Sequence, residues 1–466
     1  MDPDRLTSAK YQPGEAVAGT GNNNNRANDS HLQSLANEET VAIQLPAAPL
    51  AMPRVMRALR NRDFRLFWTG NFLSNVGTWM QSVAQGWLVL QLADESAARG
   101  ALLRGHNGAF WLGVVSFAAS APMLMFTLIG GVIADRVDRR RLMIRTQAAM
   151  MLFAFAMAAL TFFRVINLPE IVLLAFATGM AMSLNTPSYQ ALVPQLVPKE
   201  DLTNAIALNS AQFNLSRVLG PTLGGFVMAW FGPAGNFLLN GISFLAVIVV
   251  LTRIHYPPVE QDQETASLWQ QLAEGFRYLF ERRDMANLLI LVGLASIFGI
   301  PYIMFVPYFA RDILHVTERG LGMLMAFSGA GAFLGAITIA YLGKVKQRGT
   351  FVVSAGSLFF TAVIAFAFSR NFAISAGLLM VAGYSMILMV ATVNSLMQQL
   401  ASNEMRGRVM SMYATAFLGF APVGALIAGS LAGVVSAPYA IAGMSALALL
   451  GSWLLYFTQP ELRRLD

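Results

Sequence analysis

Gly130-Gly131-Val132-Ile133-Ala134-Asp135-Arg136-Val137-Asp138-Arg139-Arg140-Arg141 is the stretch on which the fold turns. An apolar run ends inside it, and a second begins at Leu142. Between them stand two carboxylates and four arginines. The apolar runs on either side are about twenty residues long, the length that crosses a bilayer as a helix. Arginines crowded at such a boundary mark the cytoplasmic face. The stretch therefore reads as a tight cytoplasmic turn between two transmembrane helices.

Working outward, the same alternation continues along the chain. Spans are expected near 64–92, 110–133, 142–163, 168–190, 204–230 and 232–252, and again near 285–310, 319–342, 350–369, 372–398, 409–434 and 437–458. Strands in lipid would leave backbone groups unpaired, and these runs are too long and apolar for barrel strands. The expected class is an all-α membrane protein with twelve transmembrane helices in two six-helix bundles. Composition agrees, with 56% hydrophobic and only 12% charged residues in 466. Soluble domains carry about 25% charged residues. The net charge of +7 then belongs to loops at a membrane surface rather than to a nucleic-acid binder.

Lys and Arg set the orientation. With the N-terminus inside, the inner segments hold about 22 of them and the outer segments about 6, a heavy positive-inside bias. Both termini are expected in the cytoplasm, at the inner membrane of a bacterium. No cysteine is present, so disulfides and thiolate metal sites are excluded.

Residues 1–55 are polar, with a Gly21-Asn22-Asn23-Asn24-Asn25 run, and read as a disordered cytoplasmic tail. Residues 56–252 form the first bundle, 253–284 a linker, 285–458 the second bundle and 459–466 a short tail. Within the linker, Leu268, Trp269, Leu272, Phe276, Leu279 and Phe280 recur at three- and four-residue spacing among charges, as in a helix lying on the membrane surface. Arg62-Asp63 opens the first span and Arg283-Asp284 the seventh. Gln195-Leu196 with Glu200 recurs as Gln399-Leu400 with Glu404. Parallel repeats of this kind mark a duplicated transporter.

The Gly131–Arg140 loop resembles the signature loop of the major facilitator superfamily, Gly-x-x-x-Asp-Arg-x-Gly-Arg-Arg/Lys, departing from it at Asp138, where the family has glycine. The resemblance implies a gating role for Gly131, Asp135, Arg136, Arg139 and Arg140, with Asp135 and Arg139 latching the halves near Arg406 and Arg408 until the transporter turns inward. Arg140 and Arg141 read more simply as topology determinants. In the fifth span, Arg217-Val218-Leu219-Gly220-Pro221-Thr222-Leu223-Gly224-Gly225 contains a Gly-Pro-x-x-Gly-Gly similar to that of the superfamily's exporter branches. Pro221 removes a backbone hydrogen bond and bends the helix. The glycines let another helix approach closely. Asn75 to Ala84, Pro187 to Pro194 and Val197 to Ser210 resemble the drug- and siderophore-exporting branch, a likeness running from about Asn61 to about Thr458. It implies the major facilitator fold, efflux by alternating access, and a proton as coupling ion.

Asn71, Asn75, Thr78, Ser82 and Gln85 form one polar stripe along the first span, which in lipid should face a cavity or another helix. Tyr189 and Gln212, with Tyr384, Asn394 and Gln398 in the second half, are further cavity candidates. Arg217 is the charge placed deepest in a span. It must pair or face water, and three roles remain open: coupling, an anionic group of the substrate, or bracing helix-end carbonyls. No Asp, Glu or His lies mid-span, which disfavours polycationic substrates. An enzyme is not expected, since no acid–base or metal-ligand cluster sits in the membrane interior. No phosphate-binding Gly-Lys-Ser/Thr loop appears either. No cofactor is expected. The expected partners are a small amphipathic substrate, a proton and the lipid bilayer, with the chain a monomer. A lysolipid transporter is the rival reading.

Overall fold

A computed structural model describes residues 54–100, 107–254, 277–278, 281–342, 346–402 and 405–465; at 54–55, 127–136 and 418 it describes the backbone alone. The expected tail (1–55, up to Pro53) and most of the linker's amphipathic helix lie outside the described residues.

Every long element among the described residues is a helix. Ten are long and apolar enough to cross a membrane, and two physical facts raise the count to twelve. One of the ten, Lys199–Arg253, has 55 residues and would reach roughly 80 Å at 1.5 Å per residue, far beyond the ~30 Å hydrocarbon core. It breaks at Gly232, where φ is 65° and ψ is −177°, a region open to glycine and closed to most side chains. It is therefore two spans, α5 (202–231) and α6 (233–253). The other fact is α1 (Arg62–Ala98), 37 residues long, whose polar stripe dilutes its hydropathy. The remainder are α2 (Gly108–Arg136), α3 (Arg139–Phe162), α4 (Leu168–Leu192), α7 (Arg283–Ile313), α8 (Glu318–Leu342), α9 (Arg348–Phe368), α10 (Phe372–Leu400), α11 (Arg406–Val435) and α12 (Ala437–Thr458).

The repeated Arg-Asp pairs sit where duplication requires. Arg62 is the first residue of α1 and Arg283 the first of α7. Asp138 also has a clear function. Its φ is −59°, and its carboxylate accepts a hydrogen bond from the Arg141 amide at 3.0 Å. A turn without positive φ has no need of glycine, and Asp is among the best N-caps. The short tail (459–466) packs back on the second bundle. Pro460–Arg463 is a helical turn that buries Leu462 against α9, and the Gly349 amide bonds Leu465 O. Two apolar side chains explain the docking.

Alternation of twelve spans puts both described ends of the chain and the linker at one end of the bundle, here called the linker end. The opposite end carries the turns after α1, α3, α5, α7, α9 and α11, and is called the far end. Contacts between the two halves run between α5 and α8, between α2 and the far part of α11, and from α1 and α2 to Tyr302–Tyr308 of α7. The linker-end parts of α7 (Arg283–Leu294) and α11 (Arg406–Ala414) pack on α10 and other elements of their own half. The halves are thus joined toward the far end.

Candidate functional site

The signature loop stands at the linker end. Gly131, Asp135 and Arg136 belong to the last turns of α2, and their side chains lie outside the described residues. Arg139 opens α3. Arg140 donates from Nε to Leu251 O at 2.5 Å and from its terminal nitrogen to Thr252 O at 2.8 Å. Those carbonyls end α6 and lack helical partners, so the guanidinium caps that helix and complements its dipole. Arg406 donates to Gln398 O, and Arg408 approaches the Met405 sulfur.

The α5 motif is wedged between two helices. A Cβ on Gly220 would lie 2.4 Å from that of Trp79 and 2.8 Å from Val76 O in α1. A Cβ on Gly225 would lie 2.7 Å from both Gly322 Cα and Glu318 O in α8, across the boundary between halves. Pro221 and Gly224 are buried in the same run. Gly224 O accepts a 3.0 Å hydrogen bond from Asn236 of α6, which is wholly buried. The motif is therefore a smooth ridge with one edge on its own half and the other on the opposite half.

Arg217 lies one turn before Gly220 and Pro221. It is half-buried, and the group facing it electrostatically is the phenol of Tyr302 in α7. Tyr302 is 1% exposed, with its hydroxyl 3.5 Å from Ser328 Oγ in α8. Among the described residues no carboxylate pairs with Arg217. A guanidinium with five donors and no anion is a strong anion receptor.

The α1 stripe behaves in two ways. Asn71 is buried and donates to Phe67 O; Thr78 and Ser82 return to Ser74 O and Trp79 O of their own helix. Asn75 and Gln85 are half-buried and hydrogen-bond no protein group among the described residues, so their amides remain available to a ligand or water. In the second half, Gln398 donates to Asn394 at 2.7 Å, and both line a cleft of about 360 Å³ with Ser395, Gln399 and Arg406 at the linker end. Tyr384 is half-buried in α10, and its carbonyl faces Gly335 of α8. Tyr189 stacks on Phe67 at 5.4 Å within an apolar cluster of the first half. Gln212 is 1% exposed, and neither of its polar atoms finds a partner among the described residues.

Sequence reasoning passed over the neighbouring face of α1. Gln81 accepts from Asn240 of α6 at 2.7 Å, and Asn240 also accepts from Ser243. Thr146 of α3 bonds Asn185 of α4 at 3.1 Å. These buried amides tie helices together in lipid. Gln81 fits the stripe's three- and four-residue spacing as well as Ser82 does, and only its burial and its bond to Asn240 reveal its role. Trp79 and Phe213, edge to face at 6.2 Å beside Gly220, were likewise indistinguishable from lipid-facing aromatics.

The profile described as "transmembrane secretion effector" matches residues 55–466. The chain is 24% identical over 288 residues to the staphyloferrin A transporter of Staphylococcus aureus, covering 61% of this chain and 69% of that one. It is 25% identical over 404 residues to the multidrug efflux pump Tap of Mycolicibacterium fortuitum, covering 84% and 94%. With the enterobactin exporter EntS of Citrobacter koseri the identity is 25%, covering 75% and 83%. Among solved structures, a D-xylose–proton symporter superposes with a TM-score of 0.66 at 14% identity, over 86% of this chain and 98% of that one. The nucleoside transporter NupG gives 0.61 at 13%, over 85% and 99%. Such likenesses speak to the fold.

Proposed function

The chain belongs to the major facilitator superfamily, in its transmembrane secretion effector family, and on that premise we propose that it is a proton-coupled exporter of small amphipathic compounds working by alternating access. The observation that carries this reading is the α5 ridge: Gly220 and Gly225 place one helix in backbone contact with both its own half and the opposite one. A helix so placed transmits a rocking of the halves without opening a leak between them.

In this reading the linker end is cytoplasmic, as the Lys and Arg distribution supports. The halves, joined toward the far end, are then in an inward-facing state. Asp135 and Arg139 serve as a latch that acts with the region of Arg406 and Arg408 when the cytoplasmic side closes. Substrate enters from the cytoplasm toward Arg217, Asn75 and Gln85, with Gln398 and Asn394 at the mouth. Relatives that carry siderophores and drugs make either class the substrate to test first. Arg217 without a carboxylate partner favours molecules bearing an anionic group, and it also keeps a lysolipid headgroup as the second reading.

The test is proton release from acidified everted vesicles on adding macrolides, dyes and siderophores in turn. Substrate-dependent collapse of the gradient, lost in Asp135→Asn, supports proton-coupled export. No response from well-inserted protein, with transport of a headgroup-labelled lysolipid in proteoliposomes, moves the lipid reading to the front.

A further inference from the structure

At the far end, α1 and α7 are joined by charge as well as by packing. Asp94 lies near the end of α1, and its carboxylate accepts from a terminal nitrogen of Arg311, in the last turn of α7. The Nε of the same guanidinium bonds the neighbouring Asp312 at 2.7 Å. Asp312 thereby holds Arg311 in one orientation, with its outer edge turned toward the first half. Arg311 is only 19% exposed and Asp94 is 65% exposed. One partner is thus fixed in the second half, while the other hangs free enough to leave.

The local backbone explains the aim of Arg311. Phe309–Ile313 is a π turn, and such insertions rotate the side chains that follow and recur at functional positions. Just below, the two helices touch: a Cβ on Gly86 would lie 3.0 Å from Pro307 Cγ. A second crossing tie stands on the α2–α11 seam, where Asn107 donates to Ala432 O at 3.2 Å. Neither Asp94 nor Arg311 lies within the signature loop or the α5 motif.

We propose that Asp94 and Arg311, with Asp312 as the positioning group, form a far-end lock that holds the far side of the transporter shut and must break for that side to open. The lock rests on the alternating-access reading above. Asp94 acts as the leaving half of the pair. Because Asp94 is well exposed, the pair weights the equilibrium modestly, on the order of two- to fivefold between far-closed and far-open forms.

The absence of native cysteine makes the test direct. Spin labels on Val165→Cys and Arg370→Cys, both exposed far-end sites in opposite halves, report the far-end distance in the full chain in lipid nanodiscs. Asp94→Asn and Arg311→Gln should each shift the distribution toward longer distances by roughly two- to fivefold in population. The exchanged pair Asp94→Arg with Arg311→Asp should restore the short distance. Unchanged distributions in both single variants overturn the lock. So does an exchange that behaves like the sum of the singles, since a merely structural role would not be rescued by reversed charges. Should Arg311→Gln fail to fold, Asp94→Asn with Asp94→Lys gives the same decision. Alternating access is read separately, from unmutated Asp94 and Arg311: a far-end distance that no substrate or pH gradient moves sinks that reading, whatever the single variants do.

Discussion

Gly113 of α2 and Gly429 of α11 meet backbone to backbone: a methyl group built on Gly113 would lie 2.6 Å from Gly429 Cα and 2.7 Å from Ala425 O. With Gly225 against Gly322 on the α5–α8 seam, this gives each of the two main contacts between halves a glycine pair at its closest point. Both pairs lie toward the far end.

Gly113→Ala should therefore push the halves apart there. Overpacking by a methyl group costs about 1–3 kcal/mol, and 1.4 kcal/mol is about tenfold in an equilibrium. The expected outcome is far-end opening raised roughly tenfold, read as maleimide labelling of Val165→Cys or Arg370→Cys from the far side. Labelling equal to that of the parent would show that the seam does not close this tightly in the membrane.

The two ends of the α5 motif should fail differently. Gly220 packs on Trp79 and Val76 inside its own half, whereas Gly225 packs on the opposite half. Gly220→Ala should lower the melting temperature of the purified protein, because the clash exists in every state of the cycle. Gly225→Ala should leave the melting temperature nearly unchanged and slow transport, because its neighbour is present only when the far side is shut. Equal melting losses in both would remove the distinction.

How far the sequence carried is visible in particular residues. Span positions, the break near 231, and the starts at Arg62 and Arg283 were legible because bilayer thickness and charge placement act on each helix alone. Gln81, Asn240 and Asn236 were not, because a buried amide and a cavity-facing amide have the same spacing in one helix. The docking of Leu462 was not legible for a related reason: an eight-residue end with two leucines among four charges carries no periodicity. Asp138 could have been read, since an Asp just before a helix start is an N-cap signal.

Gln212 is buried with both polar atoms unpartnered among the described residues, which costs about 1–3 kcal/mol for an unsatisfied group. Gln212→Leu keeps the size and removes that cost, so it should raise the melting temperature in the far-closed state. Transport should slow if a rearranged state satisfies the amide. A lower melting temperature would mean that a water or a protein group already satisfies it here.

Arg217 offers the sharpest separation of roles, because it is half-buried, faces a phenol rather than a carboxylate, and sits one turn before Pro221. Removing one partner of a buried ion pair is strongly destabilising, but no such pair exists here among the described residues. Arg217→Gln should thus fold and insert at normal levels. If the guanidinium receives an anionic group, Arg217→Gln should lose transport of carboxylate-bearing compounds while keeping that of their methyl esters. Arg217→Lys should recover part of the loss, since a point charge replaces the fork without its two-pronged geometry. If Arg217 instead braces helix-end carbonyls, acids and esters should fall together, with a lower melting temperature. If it serves coupling, both should fall while substrate binding and melting temperature stay as they were. Transport of matched acid and ester pairs in proteoliposomes, with and without a proton gradient, separates the three.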